Sequence, residues 1–594
     1  MYLALVSSAL LYFSGLFIYR LFFHPLRKYP GPTLAALSGG YQAYHSQIKG
    51  GEWILEIERL HRIYGPVVRV GPNKLHFNYP GAFHDIYTNG HSLTKDPGMY
   101  PHGMAAILSE SAWATTDLQK AKYRRSLVTP LFSRRAILEL EYTIQQKIDK
   151  LLGVFEKHYS SPGSIVDIAS AFRSLTTDII TSYCFAECPD TLDHPDFSHP
   201  LVQNVEKLFR TFWIQQTVPW IVSLINNVPV KVTLWFLPQF KGYLGLRTRL
   251  SNQIDSVRAD PDILSNAEHE TVYRHIMEAK DKESLTKTQL LHDAIVFQGA
   301  GSDTVGNSCY VGTFYALKNP AITRRLVEEL QEAWPDKGKP LSYTVLEKLP
   351  YLTAFVKETL RFSVGVVHPL ARVVGSDMPV IGGLNLPSGT VVEMSAVFMH
   401  FNPEVFPDPN LFNPDRWLSG DIADMNRDLV AFGKGPRVCI GVNLAWCELY
   451  LIFANLFRKF NIQLVIEKDM IEEFDADQRL DYFVVAWRKG YRVALEKLKY
   501  SPWRRDSLLG ARSQHWKSKL LNSAHSACKS YAPNESRLRL DSRNGTGGGS
   551  GLTVGFTRLK EFSRGIGKAT MSFRSESFAV CSFQPSQKGV ESEL

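Results

Sequence analysis

The 594-residue sequence predicts a mainly α-helical domain with small β-sheets, carried behind one N-terminal membrane-spanning helix. Three observations predict it. Residues 2–23 are an almost unbroken apolar run, and residues 120–320 read mainly as helix. Strand-like pieces punctuated by Gly and Pro are confined to segments near 67–77, 360–400 and 462–496. The 44% hydrophobic content is ample for a sizeable core, and no internal repeat is evident.

Taken in order, the first element is the apolar run. About 20 apolar residues rising ~1.5 Å each span a hydrocarbon layer. No basic region precedes the run, and its small residues Ser7, Ser8 and Ala9 lie inside it, so a cleaved leader is disfavoured. Arg20, Arg27 and Lys28 lie at or beyond its end, which places the following domain on the cytosolic side. Residues 24–35 (His24-Pro25-Leu26-Arg27-Lys28-Tyr29-Pro30-Gly31-Pro32 and beyond) read as a stiff, extended hinge, because prolines cannot continue a helix. Val67–Gly71 and Lys74–Phe77 read as a hairpin around Gly71-Pro72. Residues 98–116 read as an irregular loop over a pocket. A long helix is expected from Thr288 to Leu317, with Thr286 and Gln289 as a capping box and Pro320 as its end. Another is expected from Val442 to Phe460, apolar almost all round and therefore a core helix.

Charge and cysteines restrict the function classes. Residues 500–594 carry 15 Lys/Arg against 7 Asp/Glu, so +8 of the net +9 lies in that tail. The rest is near neutral, and nothing supports a nucleic-acid partner. Residues 499–594, with Gly547-Gly548-Gly549-Ser550-Gly551, read as a disordered basic tail. The seven cysteines are odd in number and scattered, which fits a reduced compartment rather than a disulfide framework.

The densest chemistry is Phe432-Gly433-Lys434-Gly435-Pro436-Arg437-Val438-Cys439-Ile440-Gly441. A cysteine is held in a Gly-rich loop at the mouth of a helix, where backbone N–H groups lower a thiol's pKa. Gly433, Gly435 and Gly441 permit backbone angles or close approaches closed to other residues. Ala300-Gly301-Ser302-Asp303-Thr304 lies midway along the long helix, where an acid and a hydroxyl are costly unless they bind something. Glu358 and Arg361 share a helical face, and Arg416 follows in Phe412-Asn413-Pro414-Asp415-Arg416-Trp417.

The cysteine stretch resembles the Phe-x-x-Gly-x-Arg-x-Cys-x-Gly loop of cytochrome P450 monooxygenases, with every fixed position filled. The other motifs follow in that family's order, and the resemblance covers roughly residues 20–498. It implies the P450 fold, with a haem domain over residues 36–498, and haem b ligated by the Cys439 thiolate. Phe432, Gly433 and Gly441 are the further haem-binding residues of that loop. Arg437, Arg372 and Arg125 are the expected partners of the haem carboxylates. The family usually has Trp or His four residues before Arg125; Ala121 stands there, so Lys122 or Tyr123 substitutes or one carboxylate is held less well. Asp303 and Thr304 correspond to the pair that supplies protons for O–O cleavage. Glu358, Arg361 and Arg416 are structural support. Substrate contacts are expected from Phe297, Gln298, Ala300, Val367 and Val484.

The implied activity is insertion of one oxygen atom of O2 into a lipophilic small molecule of secondary metabolism. NADPH supplies electrons through a separate NADPH–cytochrome P450 reductase, which Lys434, Lys120 and Lys122 could meet. Membrane lipid is the other partner, and the implied location is the endoplasmic reticulum membrane, single-pass, with the catalytic domain in the cytosol. A haem-thiolate isomerase or dehydratase, or a non-enzymatic haem-binding protein, is the alternative. The first commonly lacks the acid–threonine pair.

Overall fold

A computed structural model describes residues 1–498, apart from 89–92, 268, 278–284, 419, 466–469, 473 and 475–477. The tail expected from residue 499 lies outside the described residues.

The apolar run forms a helix from Tyr2 to Ile18 that continues through a wider turn at Tyr19–Phe23, with none of its length buried. Its 22 residues are long and apolar enough to cross a membrane. The Arg20 guanidinium donates to the Leu37 carbonyl, and Arg69 Nη1 donates to the Arg20 carbonyl at 3.1 Å, so the helix base is tied to the domain. The segment after it is less extended than expected. Pro25–Lys28 closes a 3-10 turn capped by His24 Nδ1, which accepts from the Leu26 N–H at 3.1 Å, and Thr33–Leu37 is a short helix. Proline is tolerated in a first helical turn, where its missing N–H has no partner to lose.

Strands β1 (Val67–Gly71) and β2 (Lys74–Phe77) form the expected hairpin. With β3 (Thr94–Lys95), β4 (Arg372–Val373) and, past the small hairpin of β5 (Val380–Ile381) and β6 (Leu384–Asn385), β7 (Val391–Glu393), they make a sheet ordered β1-β2-β7-β4-β3. The strand-like reading of 360–400 starts too early, because Pro350–Ser363 is a helix carrying Glu358 and Arg361. Farther on, β8 (Phe460–Val465) pairs with β11 (Arg492–Lys497), and β9 (Arg479–Tyr482) with β10 (Val484–Trp487) around Phe483 at φ +76°.

Helices make up most of the domain. The long one runs from Lys287 to Lys318, with both halves of the Thr286–Gln289 capping box formed and most side chains buried. It packs closely along the helix Ile168–Phe185. Gly301 sits at that contact: a Cβ there would lie 2.5 Å from Ile180 Cγ1. The helix Val442–Lys459 is buried along nearly its whole length, as its all-round apolar pattern requires. One hydrophobic cluster joins these helices, and a second fills the space against the five-stranded sheet.

Candidate active site

The cysteine loop is fixed by backbone contacts. The Cys439 N–H donates to the Phe432 carbonyl at 2.8 Å, and the Gly433 N–H donates to that of Val430 at 2.8 Å. Gly433 and Gly435 both have φ +68°, and a Cβ on Gly435 would lie 2.0 Å from the Tyr87 carbonyl oxygen. Only glycine fits there. Gly441 differs from the expectation: its φ of −82° is open to any residue, and its contribution is an N–H aimed at the Cys439 thiol.

Cys439 is accessible, yet burial pushes its thiol up from the ordinary value, so its accessible surface faces an interior opening. The Gly441 N–H and Arg125 pull the other way and are outweighed. The helix mouth therefore does not by itself lower the thiol as expected, because desolvating an anion costs more than one amide and one guanidinium return. A metal cation at the sulfur reverses that order.

Beside this loop lies a cluster of cations. Arg437 Nη2 donates to the Thr115 carbonyl at 2.9 Å, and burial with the nearby Arg372 brings its pKa down to about 10. Arg372 donates to the Tyr100 hydroxyl at 3.4 Å, and burial also lowers Arg125. Lys95 is the fourth member: burial and the fields of Arg372, Arg437 and Arg125 push it well below the usual lysine value. The sequence reading missed Lys95, whose only signal was its place three residues before the irregular loop. Of the two residues considered as substitutes at Ala121, Lys122 is exposed, and Tyr123 has a buried hydroxyl without a hydrogen-bond partner. Among the described residues no carboxylate pairs with any of the four cations. A cluster of like charges, two buried and two half-buried, with an accessible thiol alongside fits a flat metal cofactor bearing two carboxylates.

The long helix runs unbroken through Ala300–Thr304. Val296, Phe297, Ala300, Gly301 and Thr304 keep accessible surface there, a stripe at helical spacing on an otherwise buried element. Thr304 Oγ1 donates to the Ala300 carbonyl at 2.8 Å. Asp303 is buried on another face and accepts from Arg173 Nε at 2.8 Å. Both line a cleft of about 420 Å³ that reaches Arg488 and Lys489. Gln298 and Val367 are fully enclosed and present no surface to a ligand, contrary to the expected substrate contacts. Gln298 donates instead to Ser302 Oγ at 2.9 Å. Val484 is nearly buried, in an isolated bridge with Val366.

The ionic knot is as the spacing implied, and larger. Arg361 donates to both Glu358 oxygens at 2.8 and 3.0 Å, and Arg416 Nε donates at 3.1 Å. The Trp417 indole and the Asn413 N–H add two more donors at 2.9 and 2.8 Å. His400 joins the knot to the cysteine loop: Nδ1–H donates to the Arg361 carbonyl at 3.0 Å, and Nε2 accepts from the Val430 N–H at 2.9 Å. Neither His400 nor Trp417 had been given a role from sequence, since the partners lie 30 to 59 residues away.

Comparison with known proteins agrees with this geometry. The cytochrome P450 family model matches residues 30–484. Tryptophan 6-hydroxylase fscE of Fusarium equiseti is 34% identical over 497 residues, covering 81% of this chain and 94% of that protein. Cytochrome P450 monooxygenase aflU of Aspergillus parasiticus is 33% identical, covering 75% and 88%. N-acetyltryptophan 6-hydroxylase ivoC of Emericella nidulans is 31% identical, covering 83% and 96%. With a family match across the whole helical domain and relatives aligned over nearly their full length, this chain belongs to the cytochrome P450 monooxygenases.

Proposed function

We propose that this P450 hydroxylates a lipophilic secondary metabolite, with Cys439 as the iron ligand and Asp303 and Thr304 as its proton route. The observation that carries the reading is the acid–threonine pair. Thr304 opens onto the accessible stripe of the long helix, while its neighbour Asp303 lines a separate cleft shared with surface cations. Bound haem supplies activation of O2. The residues do the rest. Arg437, Arg372 and Arg125 would hold its carboxylates, and the Glu358–Arg361–Arg416 knot braces the fold behind the Cys439 loop. Asp303 takes protons from the cleft, with Arg173 fixing its carboxylate, and Thr304 presents a hydroxyl where they are used. Phe297 and Ala300 meet the substrate.

Electrons come from NADPH through a separate reductase docking near Lys434, Lys120 and Lys122, the last two exposed. The helix Tyr2–Phe23 anchors the enzyme in the endoplasmic reticulum membrane, with residues 36–498 in the cytosol. Aromatic amino acid derivatives are the first substrates to try, because two of the relatives are named as tryptophan and N-acetyltryptophan hydroxylases.

The test is spectral and kinetic. The reduced, CO-bound protein should show the red-shifted thiolate band, and Cys439→Ala should abolish it. Thr304→Ala should keep the band while product formed per NADPH falls by about tenfold. Unchanged coupling would sink the assigned role of Thr304. Turnover of a peroxide without O2 or reductase would instead indicate an isomerase.

A further inference from the structure

Lys95 is a buried amine that pairs with no carboxylate among the described residues. It ends β3 directly opposite Arg372 on β4, and the two are only 5% and 6% exposed. Like charges facing each other across a ladder repel, and buried ones repel more. A lysine with no task here would extend its ammonium to water. Instead Lys95 Nζ donates to the Trp113 carbonyl and lies over the rings of Tyr100 and Trp113, at 4.2 and 5.3 Å from their centroids. The same short segment holds Arg437 through the Thr115 carbonyl at 2.9 Å. Carbonyls and ring faces steady both cations without neutralising either, and each keeps donor capacity for another acceptor.

The helix Leu118–Val128 contributes Arg125 to this cluster but, at the buried Ala121, only a methyl group. A donor absent from that helix can come from elsewhere in the cluster. We propose that Lys95 is a fourth anchor for the haem carboxylates, supplying from β3 the donor that Ala121 does not. Two carboxylates would then meet four cations, and their negative charge would offset the repulsion between Lys95 and Arg372. This inference rests on the haem reading of the site, and its test separates the two.

The experiment uses the full chain in detergent, loaded with haem, as wild type, Lys95→Met, Lys95→Gln and Lys95→Arg. Haem transfer to excess apo-globin and the carboxylate bending bands in resonance Raman spectra are read for each. The Met and Gln variants should release haem about tenfold faster, the worth of one charged hydrogen bond. They should also shift one carboxylate bending band, with Lys95→Arg restoring both. Unchanged release, or faster release with both bands unmoved, would overturn the proposal, since a purely structural lysine leaves those bands alone. Absence of the thiolate CO band from the wild type would overturn the haem reading itself.

Discussion

Glu358 shows what a single buried side chain can organise. Its two oxygens accept five hydrogen bonds, from Arg361, Arg416, Trp417 and the Asn413 backbone. Removing one partner from such a buried, hydrogen-bonded network is strongly destabilising. His400 transmits this order to the cysteine loop and does so only when neutral, because Nε2 must accept from the Val430 N–H. Burial and the adjacent Arg361 bring its pKa down to about 3. The sign follows from linkage. Between about 3 and the unfolded value near 6.5, only the unfolded chain takes the proton, so stability is complete above pH 6.5 and falls as pH drops. The loss should reach about 1.4 kcal/mol per pH unit for this histidine. Buried His61, brought to about 4, adds to the same trend. Urea unfolding from pH 7.5 to 4.5 should show this decline, and His400→Gln should lower stability at pH 7.5 but flatten the slope; equal slopes would contradict it. Glu358, Arg361 and Arg416 were legible because their spacing is a motif. His400 was not, because a lone histidine gains its role from two distant backbone groups.

Among the elements, the long helix carries the most information, and its two ends were easier to read than its middle. The Thr286–Gln289 capping box is a contact within four residues, so sequence alone specifies it. Gly301 is different. From sequence it weakens the helix beside Asp303 and Thr304; in the structure it lets the helix Ile168–Phe185 approach, with Ile180 filling the space a Cβ would take. Gly301→Ala should therefore destabilise by ~1–3 kcal/mol despite alanine's higher helix propensity. In a double-mutant cycle with Ile180→Ala, thermal unfolding should show the two changes compensating, the double variant being more stable than the sum of the singles predicts. Simple additivity would mean that the helices move apart at no cost.

At the scale of the whole molecule, the domain carries apolar surface beyond its anchor. Trp220 and Trp235 are 68% and 77% exposed, and Phe236 and Ile48 are exposed as well. Gln47, next to Ile48, donates to the Trp213 carbonyl at 2.9 Å, just ahead of the helix Trp220–Asn227, so this surface joins the segment after the hinge. Deleting residues 1–23 should leave a protein that still sediments with lipid vesicles, and changing Trp220, Trp235 and Phe236 to Ser in that background should release it. Full release on deleting the anchor alone would refute this. By itself the sequence determined the apolar span, the helical class and the family. Each of these is written in residues close together: apolar length, a period of 3.6, or a ten-residue motif. Tertiary structure alone decided that Gln298 and Val367 are enclosed, that Arg173 holds Asp303, and that Lys95 stands opposite Arg372. Those facts depend on which buried surfaces close against one another, and Lys95 and its partner Arg372 stand 277 positions apart in the chain.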